Sequence, residues 1–294
     1  MNKENGYLFV TFSGEQEGGE EIYFSLSCDG LHWKDLNEGK SVLQSKTGTK
    51  GVRDPFLFKM QGKYYLIATD LKIGSGTTWQ DAAQKGSLSV IIWESDDLLH
   101  WSGERKCAIG PSGAGCVWAP EAVYDSEKNA AMVFWSSYTD GKYVIYRSYT
   151  EDFVTFSPAE LYMKRKHDVI DMTVWKENDI FYRVYKNEEN KTICMDCGPK
   201  LNGEFRAIRS EFLQNLKGVE GPIIFKMPNQ KVCLMVDQFQ INGGYLPLIC
   251  ENINEGIFHR TEGFDLGNIC KRHGSIITIS NKEYLKLEQY YGGK

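Results

Sequence analysis

Three acidic residues occupy matching places in otherwise different stretches: Asp54 in VRDPFLF, Asp171 in VIDMTVW and Glu220 in GVEGPIIF. Each stands just ahead of an apolar run. Carboxylates held close together cannot all ionise easily, and one is pushed to a higher pKa. Such a pair can divide the cleavage of a glycosidic bond. A protonated acid serves the leaving oxygen, and an ionised one activates water from the far face, with the carboxyls about 6.5–9.5 Å apart for inversion. Glu220, flanked by Gly221 and Pro222, is expected to stay protonated near neutral pH, with Asp54 ionised. A lone Asp54, in an Arg-Asp-Pro turn beside Arg53, would be read as a turn cap. Three acids at equivalent places favour chemistry.

Repeated elements must do the positioning. DPFLFKMQGKYYLIATDL, PEAVYDSEKNAAMVFWSSYT, DMTVWKENDIFYRVYKNE and GPIIFKMPNQKVCLMVDQF each join two apolar runs by a short polar turn, the pattern of a hairpin. A fifth copy begins at GSIITIS. The anchors preceding these runs, Asp54, Glu121, Asp171, Glu220 and His273, are 67, 50, 49 and 53 residues apart. Five units of about fifty residues, rich in strand and poor in helix, predict an all-β five-bladed propeller. One domain spans 1–294, with blades starting near 54, 120, 171, 220 and 273. Residues 5–35 supply the strands that the last unit lacks, so the two chain ends share a blade and leave no free sheet edge. No Trp-Asp or Gly-His signature of a WD40 propeller recurs. The motif Ser/Thr-x-Asp-x-x-x-aromatic, at Ser27–Trp33, Ser95–Trp101 and Thr150–Phe156, marks a turn whose Asp binds backbone amides.

In a propeller the inner strands line a central channel and their first residues converge at one mouth. Asp171 and Glu220 then fall on adjacent blades, and Asp54 faces Glu220 with one blade between. Trp118, and Trp79 in the long loop GSGTTWQDAAQKGS, are candidate platforms for a sugar ring. Arg53 and Arg183 are candidate partners of sugar hydroxyls, the latter because a charge within an apolar strand needs a partner. Glu121 is placed on the same ring, in a supporting or hydroxyl-binding role.

Composition excludes other classes. A net charge of −5 offers no basic stripe for nucleic acid. No run of about 20 apolar residues is available to cross a bilayer. Eight cysteines in a chain of 294 residues do not suggest a disulfide framework, and Cys233 and Cys250 lie in apolar runs. The lone CMDC sits in an alternating strand pattern. With no leader-like start, a cytoplasmic location is expected, and a trimmed secreted chain would read the same.

VRDPFLF, VWAPEAVYD, VIDMTVW, GVEGPIIF and RHGSIITIS, in this order from about Gly51 to Ser280, resemble glycoside hydrolase family 43. The resemblance implies a five-bladed propeller that hydrolyses α-L-arabinofuranosyl or β-D-xylosyl linkages with inversion. It implies Asp54 as general base, Glu220 as general acid and Asp171 as the acid that orients the pair and tunes its pKa. It requires no cofactor, but implies that His273 could stand near a hydrated structural Ca2+ in the channel. Ile170-Asp171-Met172 departs from the family's frequent Ile-Asp-Pro, and the acid-Pro often found at the start of the chain is absent. The expected partner is an oligosaccharide or plant polysaccharide, attacked from its end. A non-catalytic sugar-binding propeller and a glycosidase of galactosides or fructans are the alternatives. A fructan hydrolase would place an acid on the first strand, and YLFVTFS has none.

Overall fold

The computed structural model describes residues 5–292. Its strands form five four-stranded antiparallel sheets. Blade I is β4 (Val52–Met60), β5 (Lys63–Asp70), β6 (Ser89–Ser95) and β7 (Arg105–Ala108). Blade II is β8 (Trp118–Asp125), β9 (Ala130–Thr139), β10 (Lys142–Thr150) and β11 (Glu160–Met163). Blade III is β12 (Val169–Glu177), β13 (Ile180–Asn187), β14 (Thr192–Gly198) and β15 (Arg206–Ile208). Blade IV is β16 (Glu220–Lys226), β17 (Val232–Asp237), β18 (Tyr245–Asn252) and β19 (Ile257–Arg260).

Blade V is composite. Its inner strand β20 (Arg272–Ser280) pairs with β1 (Asn5–Phe12), followed by β2 (Tyr23–Ser27) and β3 (Trp33–Asp35). The register runs from Asn5 opposite Ser280 to Thr11 opposite Gly274. The chain ends thus close the ring, as the repeat pattern predicts. A last helix, Asn281–Tyr291, then packs Leu287 into the seam between blades V and I.

Apolar burial follows the same order. The main clusters of buried side chains lie at the five junctions between neighbouring blades. One example is Ile67, Val90 and Ile92 of blade I against Val133 and Trp135 of blade II. Alternation along each strand sends one set of side chains to the preceding blade and the other to the following one.

The three copies of the Ser/Thr-x-Asp motif close tight turns after β2, β6 and β10. The Ser95 hydroxyl accepts from the Asp97 and Leu98 amides, and Asp97 Oδ1 accepts from those of Leu99 and His100. Ser27–Asp29 and Thr150–Asp152 repeat the pattern. CMDC lies within β14, and all eight cysteines are free.

Every inner strand breaks its ladder at the same height. Arg53 pairs with Thr69 but Phe56 with Ile67, leaving Asp54 and Pro55 opposite one residue. Like shifts occur between Trp118 and Glu121, between Ile170 and Thr173, and between Glu220 and Ile223. In blade V the pairing jumps over His273. These are β-bulges, which bend a strand and re-aim a side chain. The first bulged residue is left-handed in four blades: Asp54 (φ 50), Ala119 (φ 48), Asp171 (φ 53) and Gly221 (φ 51).

Ring closure leaves little room at Gly274, where a β-carbon would sit 2.1 Å from the Val10 carbonyl oxygen. Gly274→Ala is therefore expected to cost about 1–3 kcal/mol, the usual range for forced overpacking. A urea titration checks this: the midpoint falls while the slope holds.

Candidate active site

The bulges define which residues share the mouth. Asp54, Ala119, Asp171, Gly221 and His273 are equivalent by register. Glu220 stands one residue earlier, equivalent to Arg53, Trp118, Ile170 and Arg272. Glu121 stands two residues later than Ala119 and does not join the mouth. It is buried in the channel beneath, with Thr173 and Ser275, and burial holds its carboxyl well above the usual range. The expectation for Glu121 is thus corrected: the bulge adds a residue, and counting from the proline overshot the ring.

Asp54, Asp171, Glu220 and His273 line one cavity of about 360 Å³. Asp54 Oδ2 accepts from the Thr69 hydroxyl at 2.7 Å, and that hydroxyl is fixed by the Ala119 amide at 2.8 Å. His273 Nδ1 lies 3.5 Å from Asp54 Oδ1 and 3.9 Å from Asp171 Oδ1, so the imidazole stands between the two carboxylates. The Asp171 amide donates to Ser136 Oγ, and Asp171 Oδ2 accepts from the Gly221 amide. Burial pushes the Asp171 carboxyl up to about 7; Glu220 and Asp54 add to this, against His273 and Lys186.

Glu220 behaves differently from the sequence expectation. Burial alone would raise its pKa, but Lys186, Arg272 and His273 outweigh burial and hold it below the ordinary range. Lys186 Nζ donates to Oε2 at 2.7 Å and Arg272 Nη2 to Oε1 at 3.2 Å. Burial thus favours the proton on Asp171, and the paired cations favour the anion of Glu220. Arg272 also binds Asp237 Oδ2 through Nε at 2.7 Å, and Lys186 Nζ lies 2.7 Å from Glu188 Oε2. Burial raises Asp237 to about 6 despite Arg272.

Aromatic rings form the walls. Trp79 begins helix α1 (Trp79–Lys85) at the rim, half exposed, with its ring edge-on to Trp118 at 5.9 Å. Tyr143 extends that wall, 5.7 Å from Trp118. Across the cavity Phe239 covers the Lys186 ammonium at 4.2 Å. Arg53 is buried between Phe12 and Trp79, its Nη1 held by Glu20 at 3.1 Å and Glu15 at 3.4 Å.

Arg183 is not in the site. Its guanidinium grips Asp196 through Nε and Nη2 at 2.7 and 2.8 Å, and stacks over Phe205. Parity explains the miss: Arg183 and Lys186 are three residues apart on β13 and face opposite sides. Lys186, opposite Ile170 in register, is the cation delivered to the mouth. Its signal was present in FYRVYKN, but burial alone could not choose between the two charges. Arg272, Tyr143, Glu188 and Phe239 were also missed. As for a cation beside His273, no group of three or more His, Cys, Asp or Glu suited to a metal is found among the described residues. The imidazole is turned to the Asp54 and Asp171 carboxylates.

A family model described as a probable glycosyl hydrolase domain, related to family 43, matches residues 2–285. The chain belongs to that family. This family 43-related domain is 32% identical over 257 residues to a protein named α-L-arabinofuranosidase from Bifidobacterium longum subsp. longum, covering 77% of the chain and 23% of that protein. A β-1,2-mannobiose phosphorylase from Thermoanaerobacter sp. is 27% identical over 143 residues, covering 49% of the chain and 36% of that protein. The domain thus spans about a quarter to a third of the length of these curated relatives. Among solved structures, a family 43 β-1,3-galactosidase with galactodeoxynojirimycin superposes with a TM-score of 0.60 at 12% identity, covering 91% of this chain and 93% of that one. That likeness speaks to the fold.

The Asp171 carboxyl binds its proton more tightly folded than unfolded, so its contribution to stability is lost as pH rises from 3.8 to about 7. Asp171→Asn removes that loss, and Asn tolerates the left-handed backbone. In urea titrations the variant is expected to gain on the wild type between about pH 4 and about pH 7, and to hold that gain above it. A constant gap would mean that Asp171 is ionised throughout.

Proposed function

We propose that the domain is an inverting, exo-acting glycoside hydrolase that removes α-L-arabinofuranosyl or β-D-xylosyl residues from plant oligosaccharides or polysaccharides. The observation that carries this reading is the meeting of Asp54, Asp171 and Glu220 in one cavity walled by Trp79, Trp118 and Tyr143. The name of the Bifidobacterium relative favours the arabinofuranosyl sugar. Asp54, oriented by Thr69, activates water against the anomeric carbon. Glu220 protonates the leaving oxygen, with Asp171 holding the proton at rest. Trp79 and Trp118 offer apolar faces to the sugar ring.

The phosphorylase among the relatives raises the question of which nucleophile attacks. Phosphorolysis would need cations free to hold an oxyanion. Here five acids (Glu15, Asp54, Asp171, Glu188 and Glu220) line the cavity against the fixed cations Arg53, Lys186 and Arg272. Each of those cations already has a carboxylate within 2.7–3.1 Å. A neutral water is the better guest than a phosphate dianion.

Nitrophenyl arabinofuranoside, xyloside and galactoside assayed side by side identify the sugar, and proton NMR of the first-formed product reports inversion. Asp54→Asn is expected to lower kcat about 10²–10⁴-fold, the range for losing a general base, while sugar binding persists. A sugar-binding propeller without catalysis would instead bind but give no turnover in either form. Trp79→Ala is expected to raise KM several-fold with little change in kcat, because its half-exposed ring offers a face to the sugar and no group to proton transfer. A fall in kcat alone would remove Trp79 from substrate binding.

A further inference from the structure

Glu220 presents a contradiction that its neighbours resolve. A general acid must carry a proton when the bond breaks, yet both of its oxygens are occupied by cations. Each of those cations has a second carboxylate in reach. Arg272 spans Glu220 and Asp237, and Lys186 spans Glu220 and Glu188. The result is a chain of alternating charge, Glu188–Lys186–Glu220–Arg272–Asp237, with three anions and two cations.

The Lys186 end is poised for exchange. Lys186 Nζ is equidistant from Glu188 Oε2 and Glu220 Oε2, at 2.7 Å. It makes a directed hydrogen bond to Glu220, whereas Glu188 Oε2 is buried and receives none. Glu188 is itself fixed: its Oε1 pairs with Lys191, and its amide donates to the Asp168 carbonyl. Phe239 over the ammonium confines Lys186 to these two partners. Moving the lysine from Glu220 to Glu188 exchanges one ion pair for another and leaves no buried charge alone, which would be the costly outcome.

We propose that Glu188 is the standby counter-ion of Lys186: when sugar enters, the ammonium passes from Glu220 to Glu188, and Glu220 is freed to take up the proton that it gives to the leaving oxygen. The proton comes from Asp171, whose O–H bond breaks as that of Glu220 forms, so charge in the cavity is conserved. Glu188 and Lys186 are positioning residues, because they act through Glu220. The other charged groups facing Glu220 are Asp171 on β12, Asp237 on β17, Arg272 and His273 on β20, and Asp54 on β4. Asp171 also acts on Lys186 through its charge, but only Glu188 and Glu220 stand within ion-pair distance of the ammonium. The inference rests on the glycosidase reading of this site.

The test is the pH dependence of kcat, which reports the sugar-bound enzyme, for the full chain on whichever nitrophenyl glycoside it cleaves. Glu188→Gln commits Lys186 to Glu220 and is expected to move the basic limb down by about 1 pH unit, the usual effect of a charge a few ångströms away. Lys186→Met is expected to move it up, and Glu188→Asp to restore the wild-type profile. A Glu188→Gln profile that overlays the wild type, or a limb that moves up, overturns the proposal. A carbon-13 NMR titration of glutamate carboxyls, with Glu220 assigned through Glu220→Gln, reads the same shifts without turnover. If no glycoside is cleaved, the hydrolase reading falls, while the Glu220 titration still decides whether Glu188 governs the lysine. Unmoved midpoints in both variants reject it.

Discussion

A bulge frees a backbone amide from its ladder, and a buried amide must find another partner. At the mouth of this ring those partners come from the preceding blade. The Ala119 amide donates to Thr69, that of Asp171 to Ser136, that of Gly221 to Asp171, and that of His273 to Asp237. Four of the five junctions are thereby pinned by one hydrogen bond at the height where the carboxylates must converge. Ala119 shows that the conformation is demanded by architecture. An alanine at φ 48 gives up about 1–2 kcal/mol relative to the ordinary helical or extended regions and contributes no functional group. The ring requires the bulge in every blade, and in blades I and III an aspartate, which tolerates that conformation, turns it to chemical use.

The same pins couple structure to charge. The carboxylate that accepts from Gly221 is the one whose proton is held to about pH 7, and the one that accepts from His273 also clamps Arg272. Displacing blade III, IV or V would break an amide hydrogen bond and an ion pair of the mouth together. A buried charge left without its partner costs several kcal/mol, so the network favours a single arrangement of the mouth. The apolar junctions beneath supply the bulk of the adhesion, and the polar ring above sets the register between blades.

Much of this was legible in the sequence because hairpin repeats report themselves through turn residues and alternation. The five blades, the closure by YLFVTFS, and the placing of Asp54 and Asp171 followed from the period alone. The failures cluster where periodicity is interrupted. Glu121 was set on the ring because its bulge, at Ala119 and Pro120, leaves no mark in the apolar pattern. Arg183 was named and Lys186 was not, because strand parity fixes faces only relative to one another and the absolute facing is set by pairing with Ile170. The electrostatic state of Glu220 was beyond reach for a similar reason. It depends on Lys186 from blade III and Arg272 from blade V, 34 and 52 residues away, and no local feature of GVEGP announces them.

That distribution of charge bears on how such a site remains both stable and reactive. A lone glutamic acid in an apolar hollow would hold its proton, but would offer nothing to stabilise the carboxylate left after transfer. A glutamate locked to one lysine would be stable and inert. Sharing each cation between Glu220 and a second carboxylate makes the two protonation states of Glu220 closer in energy, because the same ammonium and guanidinium are paired in both. Proton transfer then requires short movements of side chains already in contact, within a ring whose backbone is held by the bulge amides. The rigidity of the mouth and the exchangeability of its ion pairs are complementary: the first fixes where the proton must go, and the second lowers the cost of its leaving.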